Sequence, residues 1–253
     1  MGKGVITMRR LKLNNRGSAL ISVLVITTFI TILATTMLYV AAMNFQQKQT
    51  DYENKQSFYG AEKALDELKS ILVKDVQTAY AKAYNKTMRN FARKNAGERR
   101  AYFQDEFMTE LKTTWAGRES ASGDLLTAVQ DVMRGTPGTY SAEADSFYKI
   151  LDYGVYETTS GSGEKLQKFA LKGVQVKYTS GNYTTFLYTD ICIEPPAVDW
   201  SADSFSATTV TTPNDRETIA FTDYVSYVNW RKADYDESEN NAYDSTDIGN
   251  KVP

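Results

Sequence analysis

Histidine is absent from the 253 residues, and cysteine occurs once, at Cys192. Without histidine, Ser-His-Asp and Cys-His catalysis and histidine-ligated zinc are excluded. A lone cysteine excludes an intramolecular disulfide, so packing alone must hold any exported domain together. Proline is sparse as well. The first of five is Pro137, so no missing N–H kinks a helix before that point. There is no Walker loop, dinucleotide fingerprint or Cys-x-x-Cys pair, and Gly161-Ser162-Gly163-Glu164-Lys165 lacks phosphate-loop spacing and reads as a turn between strands. Asp234-Tyr235-Asp236-Glu237-Ser238-Glu239 lacks the sixth-position glycine and the spaced terminal glutamate of a calcium loop. Carboxylates are many, but none is marked out as a catalytic pair. No catalytic residue, cofactor or metal site is expected, and the chain does not read as an enzyme.

The residues that are present are unevenly spread. Hydrophobic residues make up 42% and charged residues 24%, an ordinary soluble composition that suits one or two domains. Every charge before Ser18 is positive: Lys3, Arg9, Arg10, Lys12 and Arg16. Those five come from 29 Lys and Arg, which leaves 24 against 31 acids and a remainder of about −7. An acidic body does not favour nucleic-acid binding, which needs clustered cations to displace counterions. Arg89, Arg93, Lys94, Arg99 and Arg100 do cluster, but Glu98, Asp105 and Glu106 lie close by, and the reading is a solvated helical face.

No charged side chain occurs from Gly17 through Gln47, and residues 18–45 read SALISVLVITTFITILATTMLYVAAMNF. As a helix this stretch reaches about 40 Å, enough to cross the roughly 30 Å hydrocarbon core of a bilayer. It is too long for a secretory-signal core, although Val40-Ala41-Ala42 has the look of a cleavage site. A buried core helix would be amphipathic, and this one is apolar all round apart from hydroxyls. Thr27, Thr28, Thr31, Thr35 and Thr36 can each satisfy a carbonyl one turn back, or let a neighbouring helix approach closely. Basic residues before the run and Asp51 and Glu53 after it predict a cytoplasmic N-terminus.

Arg16-Gly17-Ser18-Ala19-Leu20-Ile21 resembles the processing site of type IV prepilins, a basic leader ending in glycine just before an apolar helix. The continuation through Gln46-Gln47 to Tyr59-Gly60-Ala61-Glu62-Lys63-Ala64-Leu65 resembles PilX-type minor pilins, and the likeness covers about seventy residues. The resemblance implies cleavage by a prepilin peptidase between Gly17 and Ser18, N-methylation of Ser18, and assembly with other pilin or minor pilin subunits. Major pilins carry glutamate at the fifth mature position, where it pairs with a neighbour's terminal amine; here that position is Ser22. An unpaired carboxylate in lipid is costly, so its absence eases insertion and removes one registering contact. A minor role, at the tip or in priming, is therefore expected rather than a major one.

Beyond the membrane run, Phe58, Ala61, Leu65, Leu68, Leu72 and Val76 recur at spacings of three and four, giving an apolar stripe read as a core face. Helical character extends over 76–112 with a break at Asn95-Ala96-Gly97, and further helices are expected at 101–115 and 124–133. After Gly135-Thr136-Pro137-Gly138, strands are expected at 148–158, 168–179, 183–194 and 224–232. Ser180-Gly181-Asn182 suits a hairpin between the second and third of these. On the third, Leu187, Ile191 and Ile193 would face one side and Phe186, Tyr188 and Cys192 the other. On the fourth, Val225, Tyr227 and Asn229 would alternate against Ser226, Val228 and Trp230. Asn85-Lys86-Thr87 and Asn182-Tyr183-Thr184 match the glycosylation triplet, a pattern common by chance.

The expected fold class is α+β, a long N-terminal transmembrane and amphipathic helix packed on an antiparallel sheet, with extra helices before the sheet. The expected segments are a leader (1–17), a transmembrane and assembly helix (18–45), an extracytoplasmic helical region (46–134), a sheet domain (135–232) and a flexible acidic tail (233–253). The chain is expected in the cytoplasmic membrane, single-pass with its C-terminus outside, and then in a cell-surface pilus. Two alternatives stay open: a pseudopilin of a type II secretion or DNA-uptake machine, and a signal-anchored extracellular binding protein that forms no fibre.

Overall fold

The computed structural model describes residues 15–135, 146–159, 165–198, 200, 219–233 and 248–252. The architecture is α+β. Helix α1 (Asn15–Arg89) is followed by a 3-10 turn (Phe91–Arg93), α2 (Ala96–Ser122) and α3 (Leu125–Arg134). The strands are β1 (Phe147–Lys149), β2 (Asp152–Thr159), β3 (Lys165–Ser180), β4 (Tyr183–Ile193), β5 (Val225–Ala233) and β6 (Asn250–Lys251), with a 3-10 turn (Phe221–Tyr224) before β5. By packing, the chain divides into two units, Met1–Tyr52 and Glu53–Pro253, and α1 contributes to both.

Local chemistry sets the helix boundaries. Asn95 caps α2 by accepting from the Glu98 N–H at 3.0 Å, while the Glu98 carboxylate accepts from the Asn95 N–H at 2.9 Å. Gly123, at φ 90°, closes α2 where a side chain would be strained. Asp124 then opens α3, its carboxylate accepting from the Thr127 N–H at 2.8 Å. The break expected at Asn95-Ala96-Gly97 therefore works as a cap that starts a new helix.

All strand pairings are antiparallel. The order is β5-β4-β3-β2-β6, and β1 pairs with β3 beyond the end of β2. The strand expected over 148–158 is two strands, β1 and β2, interrupted at Ile150-Leu151, and a register shift against β3 falls within β1, between Phe147 and Lys149. The tail expected to be flexible from 233 onward returns to the sheet at its end. There Ile248 is buried, Lys251 pairs with Asp152 at 2.6 Å, and the Val252 N–H donates to the Val155 carbonyl at 2.7 Å. An apolar anchor flanked by one ion pair and one ladder bond offsets the polarity of the segment. The Asp234–Glu239 motif lies outside the described residues.

The main core lies between one sheet face and the helices of the second unit. Ala61, Leu65, Leu68, Leu72 and Val76 of α1 meet Phe103, Phe107, Leu111 and Trp115 of α2, Val129 and Met133 of α3, and Phe169, Leu171, Leu187, Ile191 and Ile193 of the sheet. Each such aliphatic side chain taken out of water contributes about 1.5–3 kcal/mol. Phe58 packs half-buried at the margin. On the opposite face, Tyr156, Ala170, Cys192 and Ile248 form one small cluster, and Phe186 and Tyr188 another.

Two strands change face partway, and one carboxylate joins the changes. Phe169 and Leu171 of β3 face the helices, and so do Val174 and Val176, so the alternation slips at Gly173 (φ 63°), where the register against β4 shifts. On β5, Asn229 takes φ 57°, the one non-glycine residue at positive φ among the described residues. Val225 and Tyr227 pack on the helix side, and after Asn229 so does Trp230, 6.2 Å from Phe58 between ring centroids. The simple alternation expected on this strand thus fails at Asn229. Buried Asp190 of β4 accepts from the Gly173 N–H at 2.7 Å and from Asn229 Nδ2 at 2.9 Å, so a single side chain pins both irregularities.

Candidate functional site: the apolar helix and the face that follows it

In the first unit, the side chains of α1 from Ala19 through Gln49 are exposed, including Leu20 (71%), Ile21, Phe29 and Leu38. A surface of Leu, Ile, Val and Phe gains nothing from water and is compatible with lipid or with other helices around it. By length and composition it can cross a bilayer. Its hydroxyls are satisfied internally. Thr27 donates to the carbonyls of Val23 and Leu24 at 3.0 Å, Thr28 to Leu24 at 2.7 Å and Thr31 to Thr27 at 2.8 Å. Thr35 and Thr36 donate to Thr31 at 2.7 Å and Ile32 at 2.8 Å. No hydroxyl of this set is left without an acceptor in an apolar medium.

Gly17 and Ser18 lie in the first turn of α1, with helical backbone; their side chains lie outside the described residues. The leader before Asn15 also lies outside them. Ser22 is exposed on the helix surface.

In the second unit, the stripe named from the sequence is inward-facing. Ala61, Leu65, Leu68 and Leu72 are buried against the sheet and α2. Gly60 lies on the same side for a steric reason: a Cβ there would come within 2.5 Å of the Tyr178 ring. The Tyr178 ring occupies the place of a side chain there, which outweighs the roughly 1 kcal/mol that glycine costs a helix. Next to it, buried Ser57 donates to the Asn54 carbonyl at 2.8 Å and shares a 2.7 Å hydrogen bond with Thr185 of β4. At the β3–β4 turn, the Asn182 N–H donates to the Glu53 carboxylate at 3.3 Å. Spacing alone reveals none of the contacts to the sheet, because Gly60–Tyr178, Ser57–Thr185 and Glu53–Asn182 each join residues more than a hundred positions apart.

Ion pairs fasten α1 to α2. Lys86 pairs with Glu106 at 2.7 Å and with Glu110 at 2.8 Å, and Lys82 pairs with Glu110 at 3.0 Å. Hydrogen bonds from Lys86, then Lys82, hold the Glu110 carboxyl below its ordinary range, while Glu106 and Glu110 raise the Lys86 ammonium. Arg118 grips Asp75 with two bonds, at 2.5 and 2.7 Å. Burial raises the Tyr227 phenol, helped by Asp66, whose carboxylate accepts its proton at 3.1 Å. Burial also raises the Tyr153 phenol to about 12, helped by Glu119.

The basic cluster read as a solvated face is divided. Arg99 is structural: its guanidinium stacks on Phe91 at 3.4 Å, its Nε donates to the Phe91 carbonyl at 2.9 Å, and its Nη1 donates to the Trp200 carbonyl at 3.1 Å. Arg100 is exposed. Of the two glycosylation triplets, Asn85 lies within α1 and its Thr87 is buried, donating to the Ala83 carbonyl at 2.9 Å. Asn182 is exposed in a turn. Among the described residues, no group of three or more Cys, Asp or Glu side chains is placed to hold a metal ion. No protein-family profile, curated protein or solved structure matches this chain.

Proposed function

We propose that this chain is a minor subunit of a type IV pilus, acting at the tip or in priming, cut by a prepilin peptidase between Gly17 and Ser18 and N-methylated on Ser18. In this reading it waits in the cytoplasmic membrane with its C-terminus outside and is then drawn into a cell-surface fibre with other pilin subunits. The observation that carries the reading is the pairing of an uncharged helix, apolar on every exposed side and self-satisfied in its hydroxyls, with the Gly17-Ser18 junction and basic leader that precede it. Such a rod is retained rather than discarded because a fibre needs it. Lipid tails are as apolar as leucine, so assembly gains from close packing and lateral contacts rather than from leaving water. A non-closing, head-to-tail interface then gives a filament.

The second unit supports a pilin-like layout, with the outer part of α1 backed by an antiparallel sheet through the Ala61–Leu65–Leu68–Leu72 stripe. Ser22, which leaves the helix without an acid to pair with a neighbour's amine, supports a minor position. It also keeps a pseudopilin of a secretion or DNA-uptake machine as the second reading, and a signal-anchored binding protein without a fibre as the third. Gly17→Asp in cells, followed by blotting, tests processing: precursor should accumulate, and an unchanged ratio of precursor to mature bands overturns the proposal. Intact mass of the native chain should place its N-terminus at a methylated Ser18. Recovery in sheared fibres separates a pilus subunit from a plain membrane anchor.

A further inference from the structure

The C-terminal residues clasp strand β2 from both faces of the sheet. Ile248 is fully buried on the outer face with Tyr156, Ala170 and Cys192, while Val252 packs half-buried against the core on the helix side. Between them β6 runs antiparallel to β2, with Asn250 opposite Glu157 and Lys251 opposite Tyr156, and the Val252 N–H donates to the Val155 carbonyl at 2.7 Å. The Lys251 ammonium reaches both oxygens of Asp152, at 2.6 and 2.7 Å. Two glycines permit the approach. A Cβ at Gly249 (φ 89°) would collide with the Glu157 carbonyl, and one at Gly154 would come within 2.7 Å of the Lys251 side chain. This is how a sheet edge receives a peptide: ladder bonds give affinity, and an apolar seat and a charged partner give selectivity.

The seat lies far from the strand that leads to it. β5 and β6 stand at opposite ends of the strand order. On β3, Lys177 is in line with Ala233 through Phe186, and Gln167 is in line with Asn250 through Glu157. Ten residues of strand and four interstrand spacings therefore put Ala233 about 38 Å from the clasp. A relaxed chain of the length of residues 234–247 averages about 20 Å between its ends, and at full extension it reaches about 50 Å. Holding the ends at nearly twice the relaxed span lowers the effective concentration of the segment at its own seat. The same segment from a neighbouring copy then competes for it.

We propose that the β2 edge is an exchangeable seat, filled by residues 248–252 of a second copy of this chain when copies are crowded together, so that the C-terminal segment links one subunit to the next. Ile248 is the anchor of the exchange, and the Lys251–Asp152 pair fixes its register. The seat needs neither leader cleavage nor a fibre, so its failure leaves the Gly17-Ser18 reading untouched.

Two full-length chains test it, Glu157→Cys and Asn250→Cys, whose altered positions face each other across the β2–β6 ladder. Cys192, 1% exposed, is shielded from the reaction. Refolded together in maltoside micelles and oxidised, the two should form a disulfide-linked dimer of one of each, at least about tenfold above the dimer that either gives alone. Adding Ile248→Asp to the Asn250→Cys chain should cut that yield about tenfold, because an unpaired carboxylate does not enter an apolar seat. The double variant Glu157→Cys/Asn250→Cys, in one chain, should close on itself at low concentration and shift to linked dimers as concentration rises. Linked dimer in the mixture no greater than in either chain alone, a yield unmoved by Ile248→Asp, or a double variant that stays monomeric at every concentration would overturn the exchange.

Discussion

Asn229 donates its side-chain amide to buried Asp190 at 2.9 Å, and the same carboxylate takes the N–H of Gly173 at 2.7 Å. Both partners have left-handed backbone, at φ 57° and φ 63°. Asp190 therefore sits between two bulges, one on each flanking strand, and makes them compatible with a continuous sheet. The consequence reaches the surface, because the bulge in β5 is what turns Trp230 toward Phe58.

Asp190→Ala leaves two donors without acceptors in a buried place and should cost about 2–4 kcal/mol of unfolding free energy. Asn229→Gly should cost less than Asn229→Ala by about 1 kcal/mol, since both lose the hydrogen bond but only alanine is strained at φ 57°. Denaturant titration of the full chain in micelles checks both. Equal costs for the two Asn229 variants would mean that the backbone conformation relaxes once the amide is gone.

Gly60→Ala should destabilise by about 1–3 kcal/mol despite the better helix propensity of alanine, because the added methyl enters the Tyr178 ring. Tyr178→Ala in the same chain should recover most of that loss. A double-mutant cycle measures the coupling, and additive effects would place the cost elsewhere.

Acid should weaken the α1–α2 junction through Glu110. Its folded pKa is depressed, with Lys86 and then Lys82 as the cause, so its contribution is present above the unfolded value of 4.5 and is lost as pH falls through the folded value. The gap in melting temperature between the native chain and Glu110→Gln should close as pH drops below about 4.5. A gap that stays constant down to pH 2 would exclude the carboxylate as its source.

Arg118→Ala should cost about 1–3 kcal/mol, because Asp75, only 10% exposed at its side chain, then loses both of its charge-assisted bonds. Arg118→Lys should restore part of this but not the two-pronged geometry. Chemical unfolding ranks the three chains.

Burial pushes the Cys192 thiol up to about 11. At pH 7.5 it should stay protonated and shielded, unreactive toward Ellman's reagent until the chain is unfolded. Rapid labelling of the native protein would show that this sheet face opens to solvent.

The sequence by itself determined the features that depend on neighbours along the chain. An uncharged run flanked by charges yields a helix able to span a bilayer, and i, i+3, i+4 spacing puts Ala61, Leu65, Leu68 and Leu72 on one buried face. Asn95 and Asp124 cap α2 and α3 through residues three positions further on, Glu98 and Thr127. Regular alternation also gave the two faces of β4, with Leu187, Ile191 and Ile193 inward and Phe186, Tyr188 and Cys192 outward. Only the tertiary structure decided which positions break those rules. The slip at Gly173 and Asn229 depends on a carboxylate from another strand, Gly60 on a ring 118 positions away, and the return of residues 248–252 on Asp152 and Val155. Periodicity describes one chain segment against an average surface, whereas a bulge or a close approach is set by one specific partner atom.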